Sequence, residues 1–381
     1  MEFAFTEEQQ MIRETAESFF SDVSTSEAIR AAMAAEQGYN ADLWQRICAE
    51  LYFQAVTIPE DFGGMGLGYV ELVAVMEQMG RFLVCAPYFS TVCLANTALL
   101  LAATDDQKAE YFGKILEGET ATVAFTSNNQ FDVDGVTATY SKNGDNYVIN
   151  GDYRFVIDGH TAQSLIVAAR KEGSQGEEGI ALFVLPSDTA GVTRSWLPTL
   201  DQTRKQAQLS FKQVTLSSAQ LMCEDAASVL GKILDLATIC LAAEQVGGSQ
   251  QVLDLTVAYT KERVQFNRPI ASFQAVKHKA ANMMTKVEAA RSGVYYAACI
   301  AQEAFVDGPL ANELAEAASI VKSYCSETYF KNAGDAIQLH GGVGFTWEYD
   351  VHLYFKRAKA SEHYLGNASY HQERLAQLLL A

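Results

Sequence analysis

The stretch Arg263-Val264-Gln265-Phe266-Asn267-Arg268-Pro269-Ile270-Ala271-Ser272-Phe273-Gln274 interrupts the last third of the chain, and the reading of its flanks sets the fold. Upstream, positions 229–247 are apolar nearly all round, the mark of a helix buried in a bundle core. Downstream the chain runs in long helical segments with few breakers. It reaches a second unusual run, Gln338-Leu339-His340-Gly341-Gly342-Val343-Gly344-Phe345-Thr346. Taken alone, Gly341 reads as the glycine C-cap of a helix end.

Working outward, residues 226–381 form a helical C-terminal region. Residues 119–225 change to a period of two: Tyr147-Val148-Ile149-Asn150-Gly151 follows the turn Lys142-Asn143-Gly144-Asp145. Leu165–Ala169, Ile180–Leu185 and Gln208–Phe211 are further short β-rich runs. Residues 1–118 are helical again, opened by the capping-box sequence Thr6-Glu7-Glu8-Gln9. Asp61-Phe62-Gly63-Gly64-Met65-Gly66-Leu67-Gly68 breaks that region. No GKS/T follows it, so a turn needing positive φ is the reading, not a phosphate loop. Helices, strands, then helices predict an α+β protein: an N-terminal helical domain, a middle antiparallel β-domain and a C-terminal helical bundle.

Composition removes several classes of function. Hydrophobic residues at 49% and charged residues at 19% are ordinary globular usage in a chain of 381 residues, long enough for two or three packed units. No window approaches the roughly 18 apolar residues of a bilayer span, and Met1–Phe5 lacks a basic, then apolar, secretory signal. The net charge of −18 opposes nucleic-acid binding, which needs clustered Lys and Arg. The 7 cysteines show no metal-ligand spacing, so no metal site is expected; their odd count suits a reducing cytoplasm.

The two C-terminal runs, together with Pro59–Gly66, Tyr147–Gly151 and the order of the three regions, resemble the acyl-CoA dehydrogenase family along the whole chain. The resemblance implies a C-terminal four-helix bundle and FAD held between subunits. It puts Arg263 and Gln265 on the flavin diphosphate of a neighbouring subunit, where a planar guanidinium bridges two oxygens. Phe266 is implied to pack on the cofactor and Gln274 to bond near its adenosine half. Gln338, Gly341 and Gly342 are implied to bring backbone close to the diphosphate. Val123-Ala124-Phe125-Thr126-Ser127 matches the family's flavin-contact strand and nominates Thr126. Two departures stand beside these matches. Phe155-Val156-Ile157 replaces a Trp-x-Thr/Ser strand, with Phe155 read as sheet core, and Asn128-Asn129-Gln130-Phe131-Asp132 replaces a Gly-Ala-Gly-Ser-Asp loop.

The family reaction removes an α-proton while hydride leaves from the β-carbon, so a buried carboxylate is required. At the two positions where the family keeps that glutamate this chain has Leu365, in His363-Tyr364-Leu365-Gly366-Asn367, and Ala237. Glu244, in Cys240-Leu241-Ala242-Ala243-Glu244-Gln245-Val246-Gly247-Gly248, is the candidate base. It lies seven residues beyond Ala237, about 10 Å along the helix. A charge among Ala, Leu and Val demands a reason: a relocated base, or an ion pair with an arginine. His363 reads as a helix-end histidine and Arg204 as a solvated turn arginine.

The resemblance thus implies an FAD-dependent acyl-CoA dehydrogenase forming a trans-2-enoyl-CoA and passing electrons to an electron-transferring flavoprotein. The alternative is a non-catalytic, FAD-holding subunit of a heteromeric acyl-CoA dehydrogenase. Homotetramer and heterotetramer both remain open, as does the acyl group.

Overall fold

A computed structural model describes residues 5–128, 130–306 and 308–380. Residues 1–4 of the signal reading and Asn129 of the loop after Thr126 therefore lie outside the described residues. In chain order the helices of the first region are α1 (Glu7–Val23), α2 (Ser26–Ala34), α3 (Ala41–Arg46), α4 (Tyr69–Arg81), α5 (Thr97–Ala102) and α6 (Asp105–Leu116). The strands follow: β1 (Ala121–Ala124), β2 (Thr139–Asn143), β3 (Asn146–Ile157), β4 (Ser164–Lys171), β5 (Ile180–Pro186), β6 (Val192–Leu197), β7 (Gln206–Ser217) and β8 (Leu221–Cys223). The last region holds α7 (Ala227–Glu262), the short strands β9 (Val264–Gln265) and β10 (Arg268–Pro269), then α8 (Gln274–Phe305), α9 (Leu314–His340), α10 (Val351–His363) and α11 (Ala368–Leu380). Contacts gather this chain into two units, Met1–Arg30 with Tyr69–Val84 and Thr238–Ala381, and Ala31–Gly68 with Cys85–Ala237.

The second of these units carries the sheet, ordered β6-β7-β3-β2-β4-β5-β8 with β1 on β4. Its hairpin β2–β3 forms where Asn143-Gly144 was read as a turn, and Gly144 sits at φ +62°. Most neighbours are antiparallel, but β1 and β2 each run parallel to β4. Alternation drives one face of β3 and β7 inward. Tyr147, Ile149 and Tyr153 meet Leu209, Phe211, Val214 and Leu216 in a single apolar cluster with Phe183. The rings pack edge to face, Tyr153 on Phe211 at 5.2 Å and Tyr147 on Phe183 at 5.3 Å, the geometry that ring quadrupoles favour. The Tyr153 hydroxyl donates to the Ala168 carbonyl at 3.0 Å, so burying it leaves no polar group unsatisfied. Phe155 departs from its sheet-core reading. Register slips between Tyr153 and Val156, Phe155 takes φ +60°, and its ring is only half-buried, under Arg154. An unpaired bulge residue turns its side chain away from the face that alternation assigns to it.

The other unit is helical. The Thr6 hydroxyl accepts from the Gln9 N–H and the Gln9 amide oxygen accepts from the Thr6 N–H, closing the capping box that starts α1. In this unit α8 packs on α9, and α9 on α10 and α11. The crossing of α4 with α7 is made backbone to backbone. A Cβ on Gly80 would stand 2.0 Å from the Glu244 carbonyl oxygen, and one on Gly247 would stand 1.7 Å from that of Glu77. Only glycine at both places permits this approach.

Candidate cofactor site

Helix α7 ends at Glu262, and the next eleven residues fold into a hairpin of two-residue strands pairing Gln265 with Arg268 and Val264 with Pro269. Its central residues, Phe266 at φ +52° and Asn267 at φ +63°, are both left-handed, the backbone of a tight hairpin turn. The Ile270 N–H donates to the Arg263 carbonyl at 2.8 Å and closes the loop. The arginine side of the hairpin faces outward: Arg263, Val264, Gln265 and Arg268 are exposed, and Phe266 is 86% exposed. Arg268 lies over the Phe273 ring at 4.0 Å and Phe266 meets that ring edge-on at 6.1 Å, so the loop is braced by surface contacts of its own. Gln274 then opens α8, exposed.

Helix α9 reaches its end at His340. Gly341 caps it at φ +64°, and an added Cβ on Gly341 or Gly342 would meet nothing within 4 Å. Three rings stiffen this end. His340 stacks on Tyr259 at 4.3 Å, Tyr349 meets both edge-on at 5.8 Å, and the Tyr259 hydroxyl donates to the His340 carbonyl. Burial lowers the His340 imidazole's affinity for a proton. Gln338 is exposed in the last turn. Sequence reading missed Arg268 and this ring cluster; the cluster's signal is scattered over ninety residues and becomes a feature only on folding.

These groups fit an anionic diphosphate: the exposed Arg263 guanidinium, the exposed Gln265 amide, whose Nε2 donates to the Val264 carbonyl at 2.9 Å, and, at the end of α9, two glycine backbones that no side chain obstructs. In the other unit Thr126 is buried at the end of β1. Its hydroxyl accepts from the Asn128 N–H at 3.3 Å and is within 3.2 Å of the Asn128 side-chain oxygen. A Cβ on Gly135 would stand 2.2 Å from the Gln130 carbonyl oxygen and 3.0 Å from that hydroxyl, so glycine there lets the loop close over Thr126.

The positions discussed for a base are apolar and closed. Ala237 is fully buried and Leu365 is 2% exposed, with φ +59°. Glu244 is buried too, and its Oε1 lies 3.2 Å from the Arg357 guanidinium, itself 2% exposed. An arginine thus compensates the buried charge of Glu244. His363 ends α10, exposed, and Arg204 lies over the Phe89 ring at 4.8 Å rather than extending freely from a turn. Asp350 binds Arg30 at 2.5 Å just before α10.

Beneath Leu365 the structure brings together residues that no motif announced. The Lys322 ammonium is buried, 2.8–3.0 Å from the Ser326 hydroxyl and the Ser361, Glu362 and Gly366 carbonyls. Burial pushes that amine down to about 7. The His371 Nε2–H donates to the Leu365 carbonyl at 2.8 Å, and burial followed by the Lys322 charge pushes this imidazole down to about 3.

Comparison with known proteins gives the family. Family models described as acyl-CoA dehydrogenase N-terminal, middle and C-terminal domain match residues 6–119, 124–214 and 227–380. The acyl-CoA dehydrogenase IpdE2 of Mycolicibacterium smegmatis is 33% identical over 363 residues, 95% of each chain. Butyryl-CoA dehydrogenase from Megasphaera elsdenii superposes with a TM-score of 0.90 at 26% identity over 100% of each chain. The ChsE4-ChsE5 complex from Mycobacterium tuberculosis gives 0.87 at 26% identity, covering 100% of this chain and 99% of the other. The three-domain fold, the oxidoreductase class and FAD as family cofactor follow from these matches. The chain belongs to the acyl-CoA dehydrogenase family.

Proposed function

We propose that this chain serves FAD-dependent α,β-desaturation of an acyl-CoA thioester as the cofactor-gripping, base-lacking member of a mixed assembly. In that assembly a second chain supplies the proton-abstracting carboxylate. One observation carries the reading: where a base is needed the chain offers Leu365 and Ala237, both buried, and its nearby Glu244 is committed to Arg357. Bound FAD would supply the hydride acceptor. The chain's own part is to hold the diphosphate between Arg263, Gln265 and Gln338, let Gly341 and Gly342 approach it, and cover the rest with Phe266 and Gln274. Thr126 is the proposed flavin contact from the β-domain. The 26%-identical ChsE4-ChsE5 structure, described as a complex of two named chains, supports a mixed partner. Electron-transferring flavoprotein as acceptor and a reducing cytoplasm as setting belong to the same reading, the latter in keeping with 7 free cysteines.

The test is spectroscopic. The chain purified alone, and with a co-expressed base-bearing relative, is scanned for bound flavin and then mixed with acyl-CoA without oxygen. Expected are flavin absorbance that depends on Arg263, and bleaching only when the second chain is present. Rapid bleaching by the chain alone, lost in Glu244→Gln, would restore the relocated base. Failure of both preparations to retain flavin would overturn the cofactor reading itself.

A further inference from the structure

Burial does little to hold the segment 341–350: Gly344 alone in it is buried, while Phe345 is 68% and Trp347 61% exposed. Its near end is fixed on α9. The turn Gly341–Phe345 continues directly from that helix. A Cβ on Gly344 would stand 2.9 Å from the Ile337 carbonyl oxygen, so glycine lets the turn lie back on the helix. The Thr346 N–H and hydroxyl both donate to the Val343 carbonyl, at 3.1 and 3.0 Å. Ordering backbone this open costs chain entropy that its own burial does not offset, so the far end needs an anchor as well.

That anchor comes from α2, 320 positions earlier in the chain. The Asp350 Oδ1 accepts from the Arg30 Nη2 at 2.5 Å and from the Ser26 hydroxyl at 2.8 Å, and the Arg30 Nε donates to the Ser26 hydroxyl at 3.2 Å. The same guanidinium lies 5.5 Å from the centre of the Trp347 ring. Lys356 stands 4.8 Å from that ring, and His352 meets it edge-on at 4.8 Å. The Arg30 and Asp350 side chains are only 26% and 23% exposed, so most of the pair is shielded from water. Asp350 also leads into α10, its carbonyl accepting from the Leu353 N–H at 2.8 Å. One arginine thus joins α2, the exposed tryptophan and the start of α10. What this clip fixes is the course of the open segment between its two ends.

We infer that Arg30 is a positioning residue for the cofactor. By clamping Asp350 beside Trp347 it sets the far end of the segment, so that Gly341 and Gly342 present their backbone to the diphosphate in one arrangement. Arg30 touches no cofactor itself and acts through the segment. The inference rests on the reading that Gly341 and Gly342 approach the FAD diphosphate, and it deepens that reading by adding a residue from the opposite end of the chain. The charge-assisted bond to Asp350 is the part that substitution can break and restore.

Charge exchange tests it in the full chain, in whichever preparation of the spectroscopic test retains flavin. FAD dissociation is followed by the recovery of flavin fluorescence, and urea unfolding of the flavin-free chain is measured beside it. Arg30→Asp and Asp350→Arg should each raise the FAD dissociation constant about tenfold, because an attraction becomes a repulsion, while the flavin-free urea midpoint hardly moves. The double exchange, Arg30→Asp with Asp350→Arg, should recover to within about threefold of the unaltered chain. Single variants that bind FAD as the unaltered chain does overturn the inference. So does a double exchange as weak as the singles, or a loss of flavin that only mirrors unfolding of the flavin-free chain. If Arg263→Ala releases flavin and Arg30→Asp does not, this inference alone fails; if neither preparation holds flavin, the cofactor reading fails and takes it along.

Discussion

At Arg263 the side chain is exposed and has no ion-pair partner among the described residues, which makes it the sharpest single probe of the proposed cofactor grip. Arg263→Ala should lower retained flavin at least tenfold on gel filtration, and Arg263→Lys should recover only part, because an ammonium lacks the two-pronged donor geometry. Glu244 tests the opposite property. Glu244→Gln strands the buried Arg357 charge, and the cost should be about 3–5 kcal/mol in urea unfolding, while flavin chemistry in a mixed assembly is unchanged. His371 adds a pH dependence. Its folded proton affinity lies far below the ordinary histidine value, so the unfolded chain binds more protons between about pH 6.5 and 3. Stability therefore falls as pH drops through that window. Between pH 6.5 and 5, above most carboxylate titration, His371→Gln should remove about 2 kcal/mol of the fall.

Among the elements, the α4–α7 crossing has the least room to change. With a Cβ at Gly247 reaching within 1.7 Å of a carbonyl oxygen, Gly247→Val must separate two helix backbones. Loss of about 3 kcal/mol or more is expected, read as a shifted urea midpoint. Gly231 and Gly334 are the controls: neither has a close neighbour where a Cβ would go, and alanine there should be tolerated. Sequence signals were uneven at this scale. The hairpin at Gly144 and the box at Thr6 were readable because a short local pattern specifies each. Strand β6, Val192–Leu197, was not singled out, since its half-exposed, polar-rich residues give no run of β-formers. The bulge at Phe155 was missed for another reason. A one-residue slip in pairing leaves no trace in composition.

For the whole molecule, the order helix, strand, helix was legible because the period of burial changes from 3.6 to two and back. The positions lining the proposed cofactor grip were legible only through two compact motifs. What no motif carried was the set of long-range pairings: Glu244 with Arg357 across 113 residues, and Lys322 with the turn that holds Leu365. Such pairings depend on which helix faces come together, and apolar periodicity reports the face of a helix without naming its neighbour. Assembly should also set apparent stability. A ligand shared between chains makes the melting temperature rise with protein concentration in the flavin-loaded mixed complex, more steeply than in either chain alone. Differential scanning calorimetry over a tenfold concentration range measures this.

Sealed from water and ringed by four oxygens, the Lys322 amine is out of reach of any acylating reagent while the surrounding helices stay closed. Its modification rate is therefore a clock for opening of the C-terminal helices. Mass spectrometry of that one peptide, against the exposed Lys331 as an internal standard, would time the opening without a chromophore.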